Sequence, residues 1–187
     1  MEYSTTVSNA AVQQQVNIRK GFQGMANSLT ASAQGSNVTA QWPFYTMPLF
    51  ESYAKTFFEQ TEAQNLFVFP KVNHRDRPAW ERYATSNHAN WVEESNLIQY
   101  GSLKHLDTDP AKYNPFIYRE SPTGPTPDGI QKIYFPAWTS SPPPSNYGSI
   151  NWDVMSDPNY EKTIQALLVL QDETVVAQVE PISTLLL

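Results

Sequence analysis

The feature that most constrains this chain is the aromatic-rich stretch from Gln41 to Trp91. It opens with the extended segment Trp42-Pro43-Phe44-Tyr45-Thr46-Met47-Pro48 and contains three of the five tryptophans in the sequence. Aromatic side chains bury the largest apolar area per residue, so such a density first of all predicts a hydrophobic core. Whatever fold the chain adopts must therefore enclose this stretch.

The composition predicts one globular domain. The chain has 187 residues, of which 40% are hydrophobic and 16% charged, values typical of a folded domain with its own core. A net charge of −6 and scattered basic residues argue against a nucleic-acid partner. The longest aliphatic run, Ala166 to Leu170, is too short to span a bilayer, so we expect no membrane insertion by this segment.

The N-terminal region predicts a short disordered tail followed by a long helix. Residues 1–8 are expected to be disordered, and a helix is expected from Asn9 to about Ala33. Its apolar residues recur at helical spacing: Ile18, Phe22, Met25 and Leu29. Gly21 and Gly24 should each weaken it by about 1 kcal/mol relative to Ala. A single α+β domain is expected over residues 9–180, with residues 181–187 as a C-terminal tail.

The central stretch predicts two further helices and two strands. Trp42–Met47 is expected to form a short edge strand, because proline lacks the N–H that a central strand needs. Leu49–Ala63 carries a wide apolar helical stripe. Leu66–Val72 is continuously apolar, which predicts a strand buried on both faces. The helix from Pro78 to Glu94 should place these residues on one side: Trp80, Tyr83, Asn87 and Trp91.

The last third predicts short strands and a final helix. The expected strands are Pro115–Arg119, Gln131–Trp138 and Ser149–Trp152, while residues 95–112 are expected to be irregular. The Pro-rich segment Ser140–Ser145 is either a rigid connection or a ligand for a proline-binding domain, and the connection is favoured. Asp157-Pro158 is typical of a helix start, and Pro181 should end that helix.

No catalytic or metal-binding pattern is found in the sequence. The histidines, His74, His88 and His105, lack a metal ligand at helical spacing, there is no cysteine, and no glycine-rich phosphate loop occurs. Glu51 and Glu81 are expected to be solvated helix residues. The Arg75-Asp76-Arg77 cluster either grips an anion or forms a surface turn that caps the next helix. We therefore expect no catalytic residue, no metal and no cofactor.

Three blocks of sequence together resemble a known family. They are Trp42-Pro43-Phe44-Tyr45-Thr46-Met47-Pro48-Leu49-Phe50-Glu51, then Arg77-Pro78-Ala79-Trp80-Glu81-Arg82-Tyr83 with Trp91, and finally Pro136–Pro144 followed by Asn151 and Asp157-Pro158. In order and spacing they resemble the extracellular sensor region of receptor-type guanylate cyclases of microbial eukaryotes. The resemblance covers roughly residues 10–180.

The resemblance implies a fold and a setting. The fold would be a PAS-like or CHASE-like antiparallel sheet flanked by helices, with a long N-terminal and a C-terminal helix, of which this chain is a fragment or a shortened relative. It would lie on the extracellular or lumenal side of a membrane receptor, although a complete chain of this sequence would be soluble. A homodimer through the terminal helices is also expected.

The resemblance further implies a non-catalytic domain that senses an unknown small molecule and controls a nucleotide cyclase. Within it we predict the ligand-binding residues Tyr118, Tyr134 and Trp138, because strand aromatics with a polar tip can both stack and form hydrogen bonds. Two alternatives stay open. One is a secreted carbohydrate-binding or other small-ligand-binding protein that uses surface aromatics. The other is a protein-interaction domain that uses the Pro-rich segment.

Overall fold

Four helices account for most of the regular structure. The computed structural model describes residues 2–35 and 42–170. The helices are α1 (Glu2–Gly35), α2 (Phe50–Thr61), α3 (Arg77–Tyr100) and α4 (Pro158–Leu170). Apart from α3, the chain between α2 and α4 is mostly irregular and contains short strands and 3-10 turns. The domain is therefore a mixed α+β structure, as the sequence predicts.

The strands pair two by two. They are β1 (Leu66–Val68), β2 (Val72–Asn73), β3 (Tyr118–Arg119), β4 (Thr126–Pro127), β5 (Ile133–Tyr134) and β6 (Thr139–Ser141). Strand β1 pairs with β6, β2 with β5 and β3 with β4, and every pairing is antiparallel. Over residues 2–35 and 42–170, no ladder grows beyond two strands.

Proline explains why the strands are short. The chain contains 15 prolines, and several lie within or beside the strands, including Pro127 inside β4, Pro136 after β5 and Pro142 after β6. Each proline removes a backbone donor from a ladder and so limits its extension. The predicted strand Pro115–Arg119 is accordingly reduced to the two residues of β3. Gln131–Trp138 is reduced in the same way to β5.

Three predicted strands are wrong in part or in full. Trp42–Met47 is a turn followed by irregular backbone. Leu66–Val72 is broken at Pro70 into β1 and the start of β2, and Phe67 is 54% exposed, so this stretch is not buried on both faces. Ser149–Trp152 is not a strand either, because Tyr147–Ser149 forms a 3-10 turn that Asn146 caps by accepting from the N–H of Gly148.

The helices follow their predicted positions more closely. Helix α2 agrees with the expected Leu49–Ala63, and α4 begins at Pro158 as predicted. Helix α1 begins at Glu2 instead of Asn9, so residues 2–8 are helical and not a disordered tail. Helix α3 continues to Tyr100, where Gly101 ends it in the left-handed region (φ 68°). The predicted helix end at Pro181 and the tail at 181–187 lie outside the described residues.

The core consists of two clusters. The larger surrounds Trp80, Trp91 and Trp138, with ring centroids of Trp80 and Trp138 5.2 Å apart. The smaller joins α1 to α2 around Met25 and Phe57. Trp80 and Trp91 of the aromatic-rich stretch are therefore core, as its composition predicts, whereas Trp42 at the start of that stretch is 49% exposed.

Gly21 and Gly24 occupy different environments on α1. A methyl group added at Gly21 would lie 2.5 Å from Cγ2 of Thr61 and 3.1 Å from the ring of Phe57, whereas one added at Gly24 would meet nothing within 4 Å. The Thr61 side chain is buried and its hydroxyl donates to the Phe57 carbonyl, so it has little freedom to move away. Gly21 is therefore needed for close packing of α1 on α2.

We expect opposite effects from alanine at these two glycines. Gly21→Ala should lower the free energy of unfolding by about 1–2 kcal/mol, because overpacking outweighs the gain in helix propensity. Gly24→Ala should raise it by up to about 1 kcal/mol. Urea denaturation followed by circular dichroism measures both, and equal effects of the two substitutions would contradict the packing of α1 on α2.

Candidate ligand-binding site

The three predicted ligand-binding residues are all buried, and they do not meet in one pocket. Tyr118, Tyr134 and Trp138 are 2%, 0% and 3% exposed. The Tyr134 hydroxyl donates to the Gly129 carbonyl (3.0 Å), and Trp138 Nε1 donates to the hydroxyl of Thr46 (3.1 Å). Of the three, Tyr118 lines a cleft. The space between α3 and the segment that carries Tyr134 and Trp138 is filled by the tryptophan cluster.

An ion pair at the start of α3 holds the neighbouring chain in place. Arg77 and Glu81 are joined by a 2.8 Å contact. Glu81 accepts from the N–H of Ile117 (3.0 Å), and Arg77 donates to the Ile117 carbonyl (2.9 Å) and to the Asp128 carbonyl (3.0 Å). Glu81 is thus not simply solvated. Arg77 binds groups inside the domain, whereas Arg75 is exposed to solvent. The Arg75-Asp76-Arg77 cluster therefore does not bind an anion through both arginines.

The blocks that carry the family resemblance meet through hydrogen bonds in the interior. Trp80 Nε1 donates to Oδ1 of Asn151 (3.1 Å). The Thr46 hydroxyl, which accepts from Trp138, also shares a 2.7 Å hydrogen bond with the hydroxyl of Tyr83. All three blocks therefore contribute to one buried network.

The buried carboxyl of Glu51 belongs to the same interior. Its Oε1 accepts from the hydroxyl of Ser141 (2.6 Å), and its side chain is 3% exposed, contrary to the predicted solvated position. Burial raises the pKa of Glu51, against the lowering effect of the Ser141 hydrogen bond. The prediction failed because the helical pattern does not show which residue of α2 meets β6.

The Pro-rich segment is packed into the domain. Ser141 lies in β6, and Pro143 is buried. The Pro144 carbonyl accepts from Nδ2 of Asn96 on α3 (3.3 Å). These contacts agree with a rigid connection. A partner domain could not reach Ser141 or Pro143 without opening the core.

A cleft of about 630 Å³ lies on the surface beside β3. We call it the Tyr118 cleft. Its lining residues include Lys112, Asn114, Tyr118, Glu120, Ser149 and Trp152. The cleft is shallow and widely open to solvent. Of these, Tyr118 is the one that the sequence-based prediction included.

Backbone and side-chain hydrogen bonds fix the walls of this cleft. The Tyr118 N–H donates to the Asn151 carbonyl (3.0 Å), and the Asp153 N–H donates to the Tyr118 carbonyl (2.8 Å). The Tyr118 hydroxyl donates to the Gly148 carbonyl (2.6 Å). The 148–153 segment is thereby held beside β3, which places the half-buried ring of Trp152 in the wall. The sequence-based prediction did not include Trp152, because nothing local in the sequence shows that the 148–153 segment returns to β3.

A second, smaller cleft of about 300 Å³ lies between the Trp42 turn and β2. Its lining includes Trp42, Lys71 and Arg75. Trp42 and Trp152 are the tryptophans with substantial exposed surface in the described chain, and they line different clefts. These two tryptophan rings therefore do not lie in one row, and the carbohydrate-binding alternative stays a prediction.

The histidines are dispersed through the described residues. His74 contacts the Tyr134 hydroxyl (2.9 Å), His88 stacks on Tyr113 with ring centroids 3.9 Å apart, and His105 lies against Tyr100. Within residues 2–35 and 42–170, no group of three or more His, Cys, Asp or Glu side chains is arranged to hold a metal ion.

Two buried carboxyl groups, Asp128 and Asp153, adjoin one another behind the cleft. Asp153 is 0% and Asp128 is 7% exposed. Asp153 Oδ1 accepts from the N–H groups of Phe135 (3.0 Å) and Met155 (3.1 Å), whereas its Oδ2 has no donor within the described chain. Burial, together with the Asp128 carboxyl, raises the pKa of Asp153 to about 7, against the lowering effect of the backbone bonds.

We expect the buried Asp153 to make stability depend on pH. An aspartate with a raised pKa binds its proton more tightly in the folded state, so its stabilising contribution falls as pH rises from its ordinary value of 3.8 through about 7. Asp153→Asn keeps the accepting oxygen and removes the ionisation. Between pH 5 and 7.5 the variant should gain about 2 kcal/mol relative to the wild type, measured by urea unfolding.

Asp109→Asn is the matched control, because Asp109 is exposed, caps a short turn, and asparagine caps equally well. It should follow the wild-type pH profile. Parallel profiles for Asp153→Asn and the wild type would show that Asp153 does not bind a proton in this range.

Comparison of the chain with protein-family models, with curated proteins and with solved structures finds no match. In the part of the chain that the structure describes, no helix is both long enough and apolar enough to cross a bilayer.

Proposed function

We propose that this chain is the ligand-sensing domain of a membrane receptor and binds its small molecule in the Tyr118 cleft. The observation that carries the proposal is the contact between the cleft wall and a terminal helix. Trp152 lines the cleft, and its ring meets the ring of Tyr160 on α4 edge to face, with centroids 6.0 Å apart. A ligand against Trp152 therefore touches a residue that packs on the last described helix.

The segment between the cleft and α4 is short and tightly bonded. Asp153 follows Trp152 and caps the 3-10 turn Val154–Ser156 by accepting from the Met155 N–H. The Asp157 carboxylate then accepts from the N–H of Asn159 in the first turn of α4. Only a few residues separate Trp152 from α4, and they are held by hydrogen bonds. A displacement of Trp152 would therefore also move α4. A ligand that binds one packing of α4 better than another shifts the population toward it.

The proposed parent is a receptor-type nucleotide cyclase, with this domain on the extracellular or lumenal side and itself non-catalytic. The support is the resemblance of the three sequence blocks, whose residues form one buried network here. A PAS-like or CHASE-like arrangement is part of this proposal, supported by the antiparallel pairing of the strands β1 to β6 and by the long helix α1. Pairing of two copies through the terminal helices stays a prediction.

Filling the cleft tests whether it binds a ligand. A panel of neutral, anionic and cationic small molecules is screened for a rise in melting temperature with the wild type and with Ser149→Trp. Ser149 is exposed and lines the cleft, so the indole should block it. We expect compounds that stabilise the wild type to lose their effect on Ser149→Trp. Ser52→Trp, at an exposed position on α2, is the control and should respond like the wild type.

Hydrogen exchange tests whether binding is sensed at α4. A compound that binds the cleft should change the exchange rates of amides in residues 158–170 of the wild type. Tyr160→Ala should bind the same compound but lose this change, because the contact with Trp152 is gone. The proposed sensing function is refuted if no compound in the panel binds the cleft. It is also refuted if a compound binds the cleft and the amide exchange rates in α4 do not change.

A further inference from the structure

The Tyr118 cleft contains one carboxylate that has no partner in the described chain. Glu120 lines the cleft directly after β3 and makes no hydrogen bond or ion pair with residues 2–35 or 42–170. Burial raises the pKa of the Tyr118 hydroxyl, and the nearby negative charge of Glu120 raises this pKa further.

The one cation in the cleft lining is already neutralised. Lys112 Nζ forms an ion pair with Oδ2 of Asp107, which raises the pKa of Lys112 and lowers that of Asp107. Lys112 therefore offers little net charge to a ligand, and Glu120 determines the sign of the local field. The net charge of −6 on the whole chain also favours the approach of cations.

The ring of Trp152 also lines the cleft. Trp152 is half-buried, and tryptophan is the side chain that best attracts a cation over its ring. Calcium requires six to eight oxygen ligands. Glu120 is the one carboxylate among the described lining residues, so an organic cation fits this site better than a bare metal ion.

We infer that the Tyr118 cleft binds an organic ammonium ion, whose cationic group is held by the carboxylate of Glu120 and the ring of Trp152. This inference rests on the proposed ligand-sensing function and names the chemical class of its ligand. The aromatic wall accommodates the apolar substituents of the cation. Asn114 and Ser149 provide polar groups for the remainder of the molecule.

Choline and putrescine are the probes, and 3,3-dimethylbutan-1-ol is the neutral isostere of choline. Binding is followed by NMR through the indole N–H signals of ¹⁵N-labelled protein, with the Trp152 signal assigned from Trp152→Phe. We expect at least one of the two cations to shift this signal saturably, while the neutral isostere does not. Added sodium chloride should weaken binding, because it screens the attraction to Glu120.

Glu120→Gln should weaken binding of the cation about fivefold or more, since it removes the charge and keeps the shape. Glu59→Gln is the matched control, because Glu59 is exposed on α2 and lies outside the cleft lining. It should bind like the wild type. Trp152→Leu should weaken binding more than Trp152→Phe, which keeps an aromatic ring.

The outcomes separate this inference from the proposed function. If neutral or anionic compounds bind in a manner that Ser149→Trp blocks, while neither cation binds, the ammonium inference is wrong and the sensing proposal stands. Equal affinity of a cation for Glu120→Gln and the wild type also overturns the inference. If no compound of any charge binds the cleft, both proposals fail.

Discussion

The Arg77–Glu81 ion pair on one turn of α3 binds both backbone polar groups of the fully buried Ile117. The Ile117 N–H donates to Glu81, and the Ile117 carbonyl accepts from Arg77 and also from the N–H of Asp128 (2.9 Å). Without Glu81 the buried N–H would be left unpaired, at a cost of about 1–3 kcal/mol. The chain on both sides of Ile117, which includes β3, depends on this clamp for its position against α3.

In the last third of the domain, other side chains also form hydrogen bonds with backbone groups that would be paired between strands in a longer sheet. Asn146, Asp109 and Asp153 each cap a short turn by accepting a backbone N–H two residues on. Asn151 Nδ2 donates to the Asn114 carbonyl (3.0 Å) and its Oδ1 accepts from Trp80. Because prolines interrupt the ladders, polar side chains provide the partners that buried backbone groups need.

This construction brings the candidate site close to the core. Trp152 lines the Tyr118 cleft, while its neighbours Asn151 and Asp153 are fully buried in the tryptophan network and in the carboxyl pair. One short segment therefore connects the surface cleft, the interior and α4. A ligand in the cleft would press on Trp152, whose buried neighbours hold the inner side of the wall rigid. A displacement of Trp152 would then be passed to α4 instead of being absorbed by the wall itself.

Local pattern in the sequence determined the helices and the aromatic core. Apolar residues at helical spacing predict α2, Asp157-Pro158 predicts the start of α4, and the density around Trp80 predicts burial. These features depend on near neighbours along the chain, so a single sequence displays them.

Tertiary structure alone decided which polar residues lie inside and where the cleft forms. Glu51 meets Ser141, 90 positions away along the chain, and Arg77 meets Ile117 at a separation of 40. Tyr118, Glu120 and Trp152 share a cleft only because the 148–153 segment returns to β3. Contacts between such distant residues leave no periodic signal in the sequence, because they depend on how the whole chain closes on its core.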